Sequence, residues 1–118
     1  MHELTKAEEQ VMQILWTLKE AFVKDIVAEF PEPKPAYNTV STIIRILEKK
    51  GIVGYKAYGR THRYHPLISK ETYTKQTANS MVNKYFAGSF EQMVSFFVKE
   101  KNISAEELEK ILTKMNEL

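Results

Sequence analysis

Residues Asn38–Gly51 read NTVSTIIRILEKKG, and the rest of the chain is organised around them. Val40, Ile43, Ile44 and Leu47 recur at the spacing of one helical face. Asn38, Thr42, Arg45 and Lys49, with Ser41 beside them, run along the opposite side and include no acid. A helix that buries one face and offers short hydrogen-bonding groups and cations on the other suits a DNA major groove. Taken alone, an amphipathic helix with a solvated outer face has the same pattern, so the flanking sequence decides.

Gly51 follows Lys49 and Lys50 and reads as a C′ glycine, with both cations placed to suit the helix C-terminus. The period then changes from helical to alternating. Ile52–Tyr58 and His62–Pro66 read as two short strands around Gly59-Arg60-Thr61. A hairpin carrying Lys56, Arg60 and Arg63 beside the helix puts cations within reach of the DNA backbone or minor groove. His62 and His65 are expected on one face of the second strand, in packing or DNA contact rather than metal binding, since a third ligand is not evident.

Upstream, Thr5 with Glu8 reads as a capping box. It opens a helix with an apolar stripe of Leu4, Ala7, Val11, Ile14, Leu15 and Leu18; Trp16 lies off the stripe as a packing residue. Ala21–Val23 suits a short strand, and Val23–Phe30 a second helix burying Ile26, Val27 and Phe30. Pro31, Pro33 and Pro35 then force an extended connection, longer than a tight helix-turn-helix allows. Helix, connection, helix and basic hairpin together give the order of a winged helix.

From Ser69 onward helix signals dominate. Ser69 caps a long helix ending near Ala87-Gly88, with Tyr73, Thr77, Met81, Tyr85 and Phe86 on one side. Phe90, Met93, Val94 and Phe97, with Phe96 beside them, form a second helix. Ser104 and Glu107 form a capping box for a third, striped by Leu108, Ile111, Leu112 and Met115. So much apolar surface in so short a segment points to self-association, with packing back onto the N-terminal domain as the alternative. The expected fold is therefore mostly α with a small β-hairpin (α+β). A winged helix-turn-helix DNA-binding domain occupies residues 1–68 and a helical dimerisation domain residues 69–118.

The chain has 118 residues, 43% of them hydrophobic, enough for one modest core or a small core plus an oligomer interface. Without cysteine there are no disulfides, thiol catalysis or cysteine-ligated metals. No apolar run approaches a membrane span and the start MHELTKAEE is no signal peptide, so a cytoplasmic protein without direct membrane binding is expected. The net charge of +2 conceals an asymmetry. Residues 1–33 carry three cations against seven acids, residues 34–63 seven cations against Glu48 alone, and residues 69–118 seven of each. A basic block on the central helix and hairpin implies a polyanionic partner. With no nucleophile–base pair, carboxylate pair or metal motif, the chain reads as no enzyme and needs no cofactor. Two other readings remain: a winged helix used as a protein-interaction module, and a small-molecule-sensing winged-helix regulator.

Several stretches carry a resemblance. They are Leu4–Glu8 with Val11-Met12 and Leu15-Trp16, Thr39–Leu47, Lys49–Gly51, Arg63–Pro66 and Phe90–Val98. Through them the chain resembles the BlaI/MecI penicillinase-repressor family over nearly its whole length. The resemblance implies a winged-helix repressor, a homodimer through its C-terminal helices, and an inverted-repeat double-stranded DNA operator. It further implies derepression when a membrane sensor protease system leads to a cut in the C-terminal region.

The chain departs from the family pattern in places. Ala36-Tyr37 stand where a serine–proline pair is frequent, leaving Asn38 as either helix cap or base reader. Arg45 falls one place before the usual arginine position, which Ile46 occupies. Phe96-Phe97 stand where antibiotic-linked members have the cleaved Asn-Phe, and the absence of cysteine disfavours the copper-responsive branch.

The expected DNA-contacting residues are thus Asn38, Thr39, Ser41, Thr42, Arg45, Lys49, Lys56, Arg60 and Arg63. Those expected to pair subunits are Tyr73, Met81, Tyr85, Phe86, Phe90, Met93, Phe97, Leu108, Ile111, Leu112 and Met115, with Phe96-Phe97 as the candidate cleavage point.

Overall fold

The Thr5 hydroxyl accepts from the Glu8 amide at 3.1 Å, and the Thr5 amide donates to the Glu8 carboxylate at 2.8 Å. This capping box starts α1 (Lys6–Leu18) in a computed structural model that describes residues 3–117. The helix buries Glu8, Val11, Met12 and Leu15, while Ala7, expected on the apolar stripe, is exposed. The buried face is rotated toward Glu8 because that carboxylate meets Lys50 at 2.8 Å. Burial alone would raise the Glu8 pKa; the hydrogen bonds from Lys50 and Thr5 outweigh it and hold the carboxyl below its usual range.

Ala21 makes a single bridge to Tyr64, with backbone hydrogen bonds of 2.9 and 2.8 Å, in place of the expected strand over Ala21–Val23. Val23 instead opens α2 (Val23–Glu29), where the Asp25 carboxylate accepts from the Phe22 amide. The proline-rich connection carries the chain to α3 (Tyr37–Lys49), which buries Val40, Ile44 and Leu47. After its C-cap Lys50, Gly51 takes φ +78°; its amide bonds Glu48 and the Ile52 amide bonds Leu47, a Schellman stop. The glycine supplies a conformation that a side chain would strain.

β1 (Val53–Tyr58) and β2 (Thr61–Pro66) pair antiparallel, with Tyr55 opposite Tyr64 and Lys56 opposite Arg63. Gly59 and Arg60 form the turn, and Gly59 at φ +61° holds the place where a type II′ turn takes glycine. His62 and His65 are three positions apart, an odd spacing, so they project to opposite faces. His62 stacks on Tyr55 at 4.0 Å, whereas His65 lies beside Gly54, where an added Cβ would meet its ring at 3.0 Å.

One core joins α1, α2, α3 and the hairpin through Val11, Met12, Leu15, Ile26, Val40, Ile44, Leu47, Val53 and Tyr64. Trp16 packs as expected. Its indole N–H donates to the Ile68 carbonyl at 2.9 Å, and its ring meets Tyr73 edge to face at 5.5 Å.

The described residues divide into two compact units, the first ending at Gln76 and the second beginning at Thr77. The division falls eight residues beyond the expected break at Ile68-Ser69. The Ser69 hydroxyl caps α4 (Lys70–Tyr85) by accepting from the Thr72 amide, and the first turns of that helix carry Tyr73. The second unit holds the rest of α4, α5 (Phe90–Glu100) and α6 (Ala105–Asn116). Its buried position is Val82, one residue from the expected Met81. Ser89 and Ser104 cap α5 and α6 by accepting from Gln92 and Glu107 amides.

Candidate nucleic-acid interface

The N-cap of α3 is Ala36, whose side chain cannot cap, so Asn38 stands inside the first turn. The Asn38 side chain makes no capping bond and is exposed. Opposite the buried Val40, Ile44 and Leu47, the helix presents Asn38, Thr39, Thr42, Arg45 and Lys49, all exposed, with Ser41 half-buried at the margin. The Thr42 hydroxyl donates to the Asn38 carbonyl at 2.9 Å. Its donor is therefore occupied; what it offers outward is an acceptor oxygen and a methyl group.

Arg60 occupies the exposed hairpin turn. Lys56 sits 5.7 Å from the Tyr58 ring, and Lys56 and Arg63 are cross-strand partners on the face opposite Tyr55 and Tyr64. The two cations differ in availability. Arg63 is half-buried and pairs with Glu20 at 3.1 Å. Arg45, Lys49, Lys56 and Arg60 have no ion pair or hydrogen bond among the described residues.

The fold adds contributors that the sequence reading passed over. A groove of about 290 Å³ runs between the start of α2, α3 and the hairpin. Lys24 and Tyr37 line it together with Ser41, Arg45, Arg60 and Tyr64. Three unpaired cations from three elements face this groove, and no carboxylate lines it. Burial pushes the pKa of the Tyr64 phenol up. Lys24 was hidden by its place in an acidic segment, where charge counting points elsewhere. Ile46, where the family pattern has arginine, stands exposed on α3. No group of three or more His, Asp or Glu among the described residues could hold a metal.

In the second unit the residues expected to pair subunits fall into two groups. Phe86, Met93 and Leu108 are half-buried, while Met81, Tyr85, Phe90, Phe97, Ile111, Leu112 and Met115 remain exposed. Tyr73 belongs to the first unit, against Trp16. Phe96 meets Phe86 at 5.6 Å and Phe97 at 5.5 Å, and both Phe96 and Phe97 lie inside α5. No helix among the described residues is long and apolar enough to cross a membrane.

The chain is similar to known proteins. A profile described as "Penicillinase repressor" matches residues 4–117. The methicillin resistance regulatory protein MecI of Staphylococcus aureus (strain N315) is 29% identical over 116 residues, 98% of this chain and 94% of that protein. The penicillinase repressor of Bacillus licheniformis is 24% identical over 110 residues, 92% of this chain and 86% of that one. Among solved structures, the DNA-binding domain of the repressor BlaI superposes with a TM-score of 0.53 at 25% identity, over 60% of this chain and 88% of that domain.

Proposed function

Because the chain belongs to the penicillinase repressor family, we propose that it is a homodimeric, sequence-specific repressor whose α3 enters the major groove of an inverted-repeat operator. One observation carries this reading. Arg45 and Lys49 stand unpaired beside the short polar side chains of α3, and unpaired Lys24 and Arg60 line the adjoining groove with Arg45. A surface evolved only for solvent or a protein partner has no need of unneutralised cations gathered on one face, whereas phosphates supply the missing charge. Asn38, Thr39, Ser41 and Thr42 take the base edges, and the cations take the backbone. Titrating salt against binding of the full chain to duplex DNA tests this. A steep linear loss of affinity with log salt supports it, and a flat response points to a protein-interaction module.

Dimerisation through the second unit is supported by the exposed apolar side chains of α4, α5 and α6, a surface that a lone subunit leaves in water. Pairing places two reading helices on one duplex. The second half-site is then bound at an effective concentration on the order of millimolar, raising avidity by about 10²–10⁴. Release follows from a cut in the C-terminal region, made through a membrane sensor protease system. Severing Phe96-Phe97 detaches α6, with Leu108, Ile111, Leu112 and Met115, and leaves α3 intact. Since that bond lies within α5, the helix opens locally before a protease can engage it.

A further inference from the structure

Ile46 is 42% exposed in the third turn of α3 and lies outside both the core and the partly buried residues packed on it. Ile43, one turn earlier, is packed against the core. Single apolar residues on a protein surface are ordinary. This one lies one turn from exposed Thr42 and two turns from exposed Thr39 on the same side of the helix, with unpaired Arg45 and Lys49 adjoining. Thr42 adds to the local chemistry: it is exposed, its hydroxyl donor is engaged by the Asn38 carbonyl, and it also carries a methyl group. The result is a small patch of methyl groups inside a cationic surface.

We propose that Ile46 reads a thymine methyl in the major groove and is a specificity-determining residue of α3. This rests on the reading of α3 as the DNA-reading helix. The thymine C5-methyl is the apolar group that base edges present in that groove, and it distinguishes thymine from every other base. A β-branched side chain suits the task because helical backbone already fixes its χ1, so little freedom is lost on contact. The neighbouring cations hold the backbone on either side and press the patch against the bases. Thr39, two turns back along the helix at about 1.5 Å per residue, faces a base roughly three steps away at about 3.4 Å per step.

The test uses the full chain and a duplex enriched by it from a randomised library. Each thymine of the half-site is replaced in turn by deoxyuridine, which removes the methyl and leaves every hydrogen-bonding group in place. For one thymine, the loss is expected to be about fourfold per half-site, the value of one buried methyl. Ile46→Ala, an exposed change that leaves the core untouched, should bind the thymine and deoxyuridine duplexes equally. The proposal is overturned if no thymine shows methyl dependence, or if Ile46→Ala keeps the same dependence. A library that yields no enriched sequence overturns the operator reading itself, and this inference with it.

Discussion

Replacing Arg60 by alanine gives a number that the structure fixes in advance. Five cations per protomer, Lys24 on α2, Arg45 and Lys49 on α3, and Lys56 and Arg60 on the hairpin, have no internal counter-charge. Each phosphate neutralised contributes about 0.9 to the slope of log affinity against log salt, so a dimer using all of them approaches a slope of about 9. Arg60→Ala removes two contacts per dimer and should lower the slope by about 1.8. Between about 50 and 200 mM salt, the advantage of the wild-type chain over the variant then shrinks by roughly tenfold. Arg63→Ala is the internal comparison. Its guanidinium already pairs with Glu20 at 3.1 Å, so its removal should change the slope by less. Fluorescence anisotropy on a labelled duplex across a salt series reads both. An unaltered slope for Arg60→Ala, or a larger change for Arg63→Ala, refutes the assignment of the hairpin turn to the DNA backbone.

Thr42→Ala should relax base preference at one position per half-site at a cost of about 1 kcal/mol, while affinity for unrelated duplex stays the same; parallel loss on both would show that Thr42 makes no base contact. Glu8→Gln keeps a capping-box side chain but removes the charge that meets Lys50, and should cost about 1–2 kcal/mol of stability near neutral pH by denaturant titration. The Glu8 carboxyl is held below its ordinary value of 4.5, so its contribution is complete above that value and lost as pH falls through the lower folded-state pKa. The gap between wild type and variant should close in that acid window, and a gap that widens there would contradict the sign. A chain ending at Phe96 lacks the last turn of α5 and all of α6. It should sediment as a monomer and lose about 10²–10⁴ in operator affinity; a dimer of undiminished affinity would exclude release by cutting at this bond.

Local rules made much of this chain legible. The Thr5–Glu8 box, the proline connection, the Gly51 stop and the Gly59 turn each follow from a residue with one dominant conformational use, and each stands where the sequence places it. The face of α1 was harder. Ala7 and Glu8 differ by one helical step, and only the distant Lys50 makes burying a glutamate favourable. Asn38 looked like a cap because of its chemistry, yet the helix begins at Tyr37 after the extended Ala36, and no side-chain cap forms there. Lys24 reaches the groove through the packing of α2, which no charge window along the sequence can register. Arg63 and Arg60 look equivalent in sequence, and the Glu20 pair separates them.

Hydroxyl-radical footprinting of the full chain on its enriched duplex shows whether two copies of α3 lie in successive major grooves of one operator. Two protected segments related by two-fold symmetry are expected, with half-site centres one or a whole number of helical turns apart, about 10–10.5 base pairs each. Protection of a single segment, or uniform protection without symmetry, would contradict that placement.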